Sequence, residues 1–463
     1  MNSRHFFLPV FLAVGCGGTP TTDGSTIDVQ TVAVGAPLEA DNTLSLDEAF
    51  RAIGDRVPGF AGMYMDDSTG IVLVTSAAAA FSALEIAAAE IEAAPLSSDL
   101  EPFRGAPLEW REVRNTWEDL YRWRRAFEDR MPPATVYTDI DERNNRVQFA
   151  MLPGHAGEAV ALANAIGIPQ TAVSVRETNP PRIESRGSLQ PPNNLFSVVR
   201  PTIGGLSIEV WYSLYLNWPD TTLTSRSLGC TLGANVVVLG SSDPVFLTNS
   251  HCTQALFEPD TMTLRSGWYQ PGRFLSPSDT TASIAVLDRT DPPLFSGGSC
   301  PAGRLCRWSD AALVTYSSAD IWQGGTVAAP DVSAAAPFPF VVSVPYVQSL
   351  QLVGNGIYKT GIATGLKFGQ NVATCQNFNL DVVSYPLDPP PPNATLLCQY
   401  QTTQMANASG DSGGPMFRWA GFVGANAKFM GVHWGGFPDQ MTTTYSPASG
   451  IVKDLGTLYY HLQ

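Results

Sequence analysis

Two short stretches carry residue types suited to nucleophilic chemistry. Gly410-Asp411-Ser412-Gly413-Gly414-Pro415 presents a serine in a tight, glycine-rich loop. Leu247-Thr248-Asn249-Ser250-His251-Cys252 presents a histidine just after an apolar run. A serine hydroxyl is a poor nucleophile at its free pKa and needs an adjacent base. In the second half of the chain the available bases are His251 and His433, with His461 close to the end. The base in turn needs a carboxylate to fix its tautomer and stabilise the imidazolium.

The elements around these motifs form two regions of different kind. From Arg200 onward short β-rich runs dominate, among them Asn235–Leu239, Val245–Thr248, Ala311–Val314 and Phe340–Val344, separated by turn residues. That pattern implies an all-β sandwich or barrel, with a terminal helix over Ile451–Leu462. Residues 45–178 instead alternate strands and helices. Strands are expected at Gly59–Met65 and Ile71–Thr75, then an alanine-rich helix over Ala77–Ala94. A second helix carries Trp117, Leu120, Tyr121 and Phe127 near one face. The theme recurs with strands at Thr135–Ile140 and Arg146–Ala150, a helix over Gly157–Ile166 and a strand at Thr171–Val175. This is a loose repeat of hairpin plus helix, hence an α+β domain. It holds no catalytic cluster, and His155, beside a glycine at a helix start, reads as structural. Residues 179–199 are polar and proline-rich, an exposed and protease-accessible linker.

The 463 residues suffice for two or three domains. With 44% hydrophobic and 15% charged residues the chain can build a large core. Its net charge of −15 supplies no basic patch, so nucleic acid is not an expected partner. The acidity is uneven: residues 17–200 carry −11 and residues 201–463 carry −5. At the start, Arg4 and the apolar stretch Phe6–Val14 read as a secretory signal peptide, far too short to span a bilayer as a mature helix. Leu12-Ala13-Val14-Gly15-Cys16 resembles a bacterial lipobox, although Leu12 stands four residues before the cysteine where that motif prefers three. Lipidation of Cys16 would tether the chain through the polar residues 17–44; ordinary signal cleavage is the alternative. Six cysteines are left: Cys230, Cys252, Cys300, Cys306, Cys375 and Cys398. Neighbour pairing is the simplest arrangement in an oxidising compartment. A zinc site has less support, because no CxxC pair or histidine cluster accompanies them. No metal or other cofactor is expected.

The two motifs, in this order, resemble those of the trypsin/chymotrypsin-like serine proteases of bacterial type. Gly410–Pro415 matches the motif around the family's nucleophile. Thr248-Asn249-Ser250-His251-Cys252 is similar to the family's Thr-Ala-Ala-His-Cys around the general base, departing at Asn249 and Ser250. Cys230 lies where the family has the cysteine that bridges to the one after the histidine. The resemblance covers residues 200–463. It implies a double six-stranded antiparallel β-barrel, a Cys230–Cys252 bond and a triad of His251, a carboxylate and Ser412. Ser309-Asp310-Ala311-Ala312-Leu313-Val314 resembles the family's aspartate-then-strand segment, so Asp310 is favoured over Asp288, and a Cys300–Cys306 loop would help hold it. The backbone N–H groups of Gly410 and Ser412 would form the oxyanion hole. Asp411 needs a cation; Tyr358–Gly365 resembles the segment supplying one in bacterial relatives such as the alpha-lytic protease, which implies a buried Lys359–Asp411 pair unless Lys359 is solvated.

The same resemblance places a specificity pocket at Ala406, Asn407, Ser409, His433, Trp434 and Gly435. Ala406 at its floor disfavours Arg or Lys before the scissile bond. The His433-Trp434-Gly435-Gly436 segment resembles that of bacterial glutamyl endopeptidases, whose histidine binds a substrate carboxylate. Preference for Glu, with help from Asn407 or Ser409, and preference for apolar side chains both stay open. By layout, residues 45–178 resemble the pro-regions of the alpha-lytic protease group, which chaperone folding, inhibit the enzyme and are cut off, here within residues 176–200; a retained domain is the alternative. The expectation is an exported, monomeric serine endopeptidase, cell-envelope lipoprotein or secreted after processing. Its partners would be peptide or protein substrates and its own pro-region, with membrane contact only through a lipid anchor. An inactive homologue acting as a binding protein and an esterase or acyltransferase are the rival classes.

Overall fold

A computed structural model of the chain describes residues 44–77, 79, 83, 107–183, 194–215, 223–241, 243–253, 266–271, 283–286, 289–318, 322–330, 338–343, 351–383, 392–403, 405–419 and 427–459. Cys16, Asp288, His461, most of the helix expected over 77–94 and residues 184–193 of the expected linker lie outside them. Residues 41–463 form one compact unit.

Helix α1 (Leu46–Arg56) begins where Ser45 can cap it. The Glu48 N–H donates to Ser45 Oγ, and the Glu48 carboxylate takes the Ser45 N–H at 2.6 Å, so two orphan donors are satisfied reciprocally. Its buried Leu46, Phe50 and Ile53 recur at helical spacing, and Phe50 meets Trp117 edge-on at 4.8 Å. Strands β1 (Phe60–Asp66) and β2 (Thr69–Val74) form a hairpin, and β3 (Leu108–Glu112) adds to β2 in parallel. Helix α2 (Trp117–Glu128) is capped by Thr116. Strands β4 (Thr135–Asp141) and β5 (Arg146–Met151) pair antiparallel. Helix α3 (Ala156–Ile166) ends at Gly167, whose φ of +84° is the left-handed cap that glycine takes without strain. It carries the chain to β6 (Val173–Glu177), parallel to β5, and β7 (Arg182–Ile183) follows.

The second half supplies β8 (Thr202–Gly204), β9 (Ser207–Tyr215), β10 (Leu223–Thr231), β11 (Ala234–Val238), β12 (Pro244–Thr248), β13 (Ser266–Tyr269), β14 (Ser283–Val286), β15 (Arg289–Thr290), β16 (Leu305–Arg307), β17 (Ala312–Thr315), β18 (Trp322–Ala329) and β19 (Phe338–Ser343). After these come β20 (Gly356–Gly361), β21 (Gly365–Asn379), β22 (Ala394–Thr403), β23 (Pro415–Trp419), β24 (Ala427–Phe437), β25 (Thr442–Pro447), helix α4 (Ala448–Leu455) and β26 (Leu458–Tyr459). The fold is mainly β. Beside the β1–β3 sheet, the described strands group as a four-stranded sheet β10-β9-β13-β14, a five-stranded sheet β15-β17-β12-β11-β26 and a 14-stranded sheet. The expected terminal helix starts earlier and stops at Gly456, which frees Leu458 and Tyr459 to pair with β11.

The largest sheet crosses from one half of the sequence to the other. Its path runs β16-β22-β25-β24-β23-β20-β21-β4-β5-β6, so β4 of the α+β segment pairs with β21 at Tyr137↔Phe378 and Thr138↔Asn377. The core is shared as well: Phe50, Trp117 and Phe149 belong to the same buried cluster as Ile357, Met405 and Tyr400. Acids are buried along this seam. Glu128 accepts from Thr138 Oγ1 (2.5 Å), Asn377 Nδ2 (2.7 Å) and Arg125 Nη1 (3.1 Å). Arg124 is committed to Asp47 and to the Cys375 carbonyl. Among the described residues Asp139 and Glu142 meet only neutral side-chain donors, Gln376 Nε2 at 3.2 Å and Thr374 Oγ1 at 2.8 Å. The other Asp139 oxygen and Gln376 Oε1 are both buried acceptors with no donor among the described residues.

Burial, with Asp141 beside Asp139 and Asp139 beside Glu142, pushes both carboxyls well above the usual range. A carboxyl with a raised native pKa binds its proton more tightly folded than unfolded. Its ionisation therefore removes stability as pH climbs above the unfolded value of about 4 towards the native one. Replacing Asp139→Asn together with Glu142→Gln should raise the denaturant midpoint of the full chain at pH 8 and leave it unchanged at pH 4. An equal midpoint at pH 8 would mean that the two acids are not held protonated.

Candidate active site

His251 sits in a single helical turn, Ser250–Cys252, at the end of β12. The turn is fixed mainly by the segment around Asp310. The His251 N–H donates to Asp310 Oδ1 at 3.1 Å, and His251 Nδ1 lies 2.5 Å from Asp310 Oδ2. A carboxylate can only accept here, so Nδ1 carries the proton and Nε2 is left with its lone pair. Nε2 is buried and has no hydrogen-bond partner among the described residues. Asn249 and Ser250, the two departures from the family motif, both brace this turn. Asn249 Nδ2 donates to the Asp310 carbonyl at 2.7 Å, and Ser250 Oγ donates to Asp291 at 2.5 Å. Behind it, Cys252 is bonded to Cys230 on β10. The other pairs are also between neighbours, Cys300–Cys306 and Cys375–Cys398.

Ser412 is fully buried, and its loop is tied to the same region through the end of β10. The Thr231 N–H donates to the Ser412 carbonyl at 2.7 Å. The Thr231 hydroxyl donates to the Gly410 carbonyl at 2.7 Å, and the Thr231 carbonyl accepts from Thr248 Oγ1 at 3.2 Å. Gly413, at φ +85°, packs so closely that a Cβ would overlap the Thr231 carbonyl and come within 3.4 Å of the Asn249 nitrogen. Glycine at this position lets the serine loop lie against the histidine turn. Gly410 likewise takes a positive φ, +106°.

Asp411 is the anchor of the loop. Lys359 Nζ lies 2.7 Å from its carboxylate, with both side chains fully buried. The same carboxylate accepts from Thr364 Oγ1 (2.6 Å) and from the N–H groups of Ala363 (2.9 Å), Thr364 (3.1 Å) and Ala408 (3.2 Å). Burial works to raise this carboxyl, but the Lys359 charge and the hydrogen bonds outweigh it and hold it below the usual range. Lys359 also donates to the Ala406 carbonyl at 3.0 Å. Gly361 passes so near Asp411 that a Cβ would overlap the carboxylate.

The residues expected to form a specificity pocket lie on either side of this loop. Ala406 is exposed, and Asn407 and Ser409 are half-buried. Asn407 Nδ2 donates to the Thr442 carbonyl at 2.9 Å and packs against Gly436. Trp434 is buried and donates Nε1 to Gln399 Oε1 at 2.9 Å. His433 is buried with Nδ1 3.1 Å from the Thr444 carbonyl, so Nδ1 is the donor; Nε2 has no partner among the described residues. Burial first, then the Lys359 charge, push the imidazole well below its ordinary value, so it is neutral. Gly435 and Gly436 pair antiparallel with Ile183 and Arg182 of β7. His155 is half-exposed at the start of α3, with Nδ1 2.7 Å from Glu158. Sequence reasoning passed over Ser446, whose hydroxyl accepts the Asp310 N–H at 2.8 Å, and over Thr231. Among the described residues no group of histidine, cysteine and carboxylate side chains is arranged to hold a metal ion, and no helix is long and apolar enough to cross a membrane.

No family model matches the chain, and no curated protein matches it. Its neighbours among solved structures are bacterial chymotrypsin-like serine proteases. One is a glutamic acid specific serine protease described as using a histidine triad in substrate binding, 19% identical, with a TM-score of 0.32 over 56% of this chain and 100% of that one. A Nocardiopsis protease is 18% identical, with a TM-score of 0.31 over 56% of this chain and 98% of its own. An alpha-lytic protease homologue, N4, is 16% identical, with a TM-score of 0.31 over 50% and 92%.

A depressed carboxyl stabilises the fold above its unfolded pKa and loses that contribution as pH falls through the native one. Lys359→Met leaves Asp411 buried without a cation and should cost about 3–5 kcal/mol. The cost should shrink in acid, where Asp411 is protonated. A melting curve at neutral pH identical to the unsubstituted chain would show that the pair does not hold the loop.

Proposed function

We propose that the chain is an exported serine endopeptidase made as a pro-enzyme. The observation that carries this reading is the short His251–Asp310 contact, with the Ser412 loop tied through Thr231 to Thr248 at the end of β12, the strand that leads into the His251 turn. In the proposed reaction Ser412 attacks a peptide carbonyl, and His251 takes its proton and later returns it to the leaving amine. Asp310 holds the tautomer and stabilises the imidazolium. The N–H groups of Gly410 and Ser412 stabilise the oxyanion; loss of one such donor costs about 3 kcal/mol of barrier. The proposed framework is the double six-stranded barrel of residues 200–463. The three disulfides support export into an oxidising compartment, with Cys16 as the proposed lipid anchor.

Two observations support the pro-enzyme reading. The α+β segment continues the large sheet through β4 and β21, and β7 lies along Gly435–Gly436, the edge proposed to receive substrate. Cutting within residues 176–200 would release that edge. For specificity, a neutral His433 whose proton is engaged by a carbonyl has only a lone pair at Nε2. A Glu carboxylate is also an acceptor, so binding it requires His433 to take up a proton against burial and Lys359. This favours an apolar side chain before the scissile bond over the glutamyl reading.

A fluorophosphonate probe should label the chain at Ser412, with labelling lost in Ser412→Ala and increased after cleavage of the linker. Peptides with Phe, Glu or Arg before the scissile bond should be cut in the order Phe, then Glu, with Arg last. Absence of label in a folded, processed chain would leave a binding protein as the better reading; labelling with ester but no peptide hydrolysis would favour an esterase or acyltransferase.

A further inference from the structure

Strand β16 places Arg307 between the two segments that carry His251 and Asp310. Its side chain is fully buried. Nη1 donates to Ser250 Oγ at 3.0 Å and Nη2 donates to the Ala311 carbonyl at 3.2 Å. Ser250 immediately precedes His251, and Ala311 immediately follows Asp310. A guanidinium is planar and its N–H groups leave in fixed directions, so a fork engaged at both tips sets the separation of its two acceptors.

The base of the fork is immobilised. Cys306 is bonded to Cys300, and β16 pairs in parallel with β22 at Arg307↔Leu396. Burying a guanidinium is unfavourable unless carboxylates accompany it. Two are present. Asp291 accepts from Ser250 Oγ at 2.5 Å, and the Thr253 hydroxyl lies 3.2 Å from its other oxygen. Asp454 of α4 feels the Arg307 charge and accepts from the Trp308 N–H (3.2 Å), the Ser309 N–H (2.7 Å) and Ser309 Oγ (2.8 Å). The residues on both sides of Asp310 are thus bound, one by Asp454 and the other by Arg307.

We propose that Arg307 is a positioning residue for the catalytic pair, setting the distance and mutual angle of His251 and Asp310. Apolar packing could fill the same volume but could not fix two polar segments relative to each other. The inference rests on the protease reading for its link to turnover, and on geometry alone for its effect on the His251–Asp310 contact.

The test uses the full chain, exported and processed by its host cell, with Arg307→Met and Arg307→Lys. One readout is the far-downfield proton resonance of His251 Nδ1–H in histidine-labelled protein; the others are kcat and KM on a peptide substrate. Arg307→Met should lose or broaden the resonance and lower kcat about 100-fold while KM stays within about twofold. Arg307→Lys keeps the charge and loses the fork, so it should remain folded and show the same changes in smaller degree. Either variant, folded, with an unchanged resonance and unchanged kcat overturns the inference; where Arg307→Met fails to fold, Arg307→Lys decides. If the parent chain hydrolyses no peptide but its resonance responds as expected, the protease reading fails and the positioning role stands.

Discussion

The buried Lys359–Asp411 pair is the interaction on which the rest of the site depends. Asp411 draws in donors from β20, from the turn after it and from the loop before Ser412, so one carboxylate organises three stretches of chain. Ser412 is the next residue and inherits that placement, completed by the Thr231 N–H on its carbonyl. β20 and β21, which bring Lys359 and Thr364, also lead to the edge where β4 docks. The Ser412 loop and the seam with the α+β segment are therefore built on the same hairpin.

Two buried acidic sites in this fold have their pKa values shifted in opposite directions, and the availability of a cation decides which. Asp411 has a lysine at hydrogen-bond distance and four further donors, so burial is overcome and its pKa is held below the usual range. Among the described residues Asp139 and Glu142 have amide and hydroxyl partners only, while Arg124 is bound to Asp47. The same desolvation then prevails and pushes their pKa values well up. Local charge count, more than depth, separates the two cases.

Much of the site was legible because its chemistry is local in sequence. The serine and histidine motifs are contiguous, and Asp310 and Lys359 were reached through the resemblance of short segments. The β1–β2 and β4–β5 hairpins, α2 and α3 announced themselves by alternation, turn residues and helical spacing. Helix α1 was missed although Ser45 and Glu48 spell its capping box. Strand β3 was missed because most of it is exposed and carries no alternation. What no local pattern could give was pairing at a distance: Tyr137 beside Phe378, Ser446 under Asp310, or Arg307 between Ser250 and Ala311. Each joins residues whose types are ordinary alone and acquire meaning only from the fold. The departures at Asn249 and Ser250 were visible, but their partners were not.

The pairing of β7 with Gly435–Gly436 has a thermodynamic consequence. β7 follows β6 after residues 178–181 only, and Asn179 and Thr178 are themselves held by Asp439 and Gln440. An occupant delivered on so short a tether acts as an intramolecular ligand, with an effective concentration of about millimolar or higher. Its hold on that edge does not weaken when the protein is diluted, and a free peptide at micromolar concentration competes poorly against it. Covalent continuity of the chain, rather than intrinsic affinity of two residues, is what keeps this edge occupied.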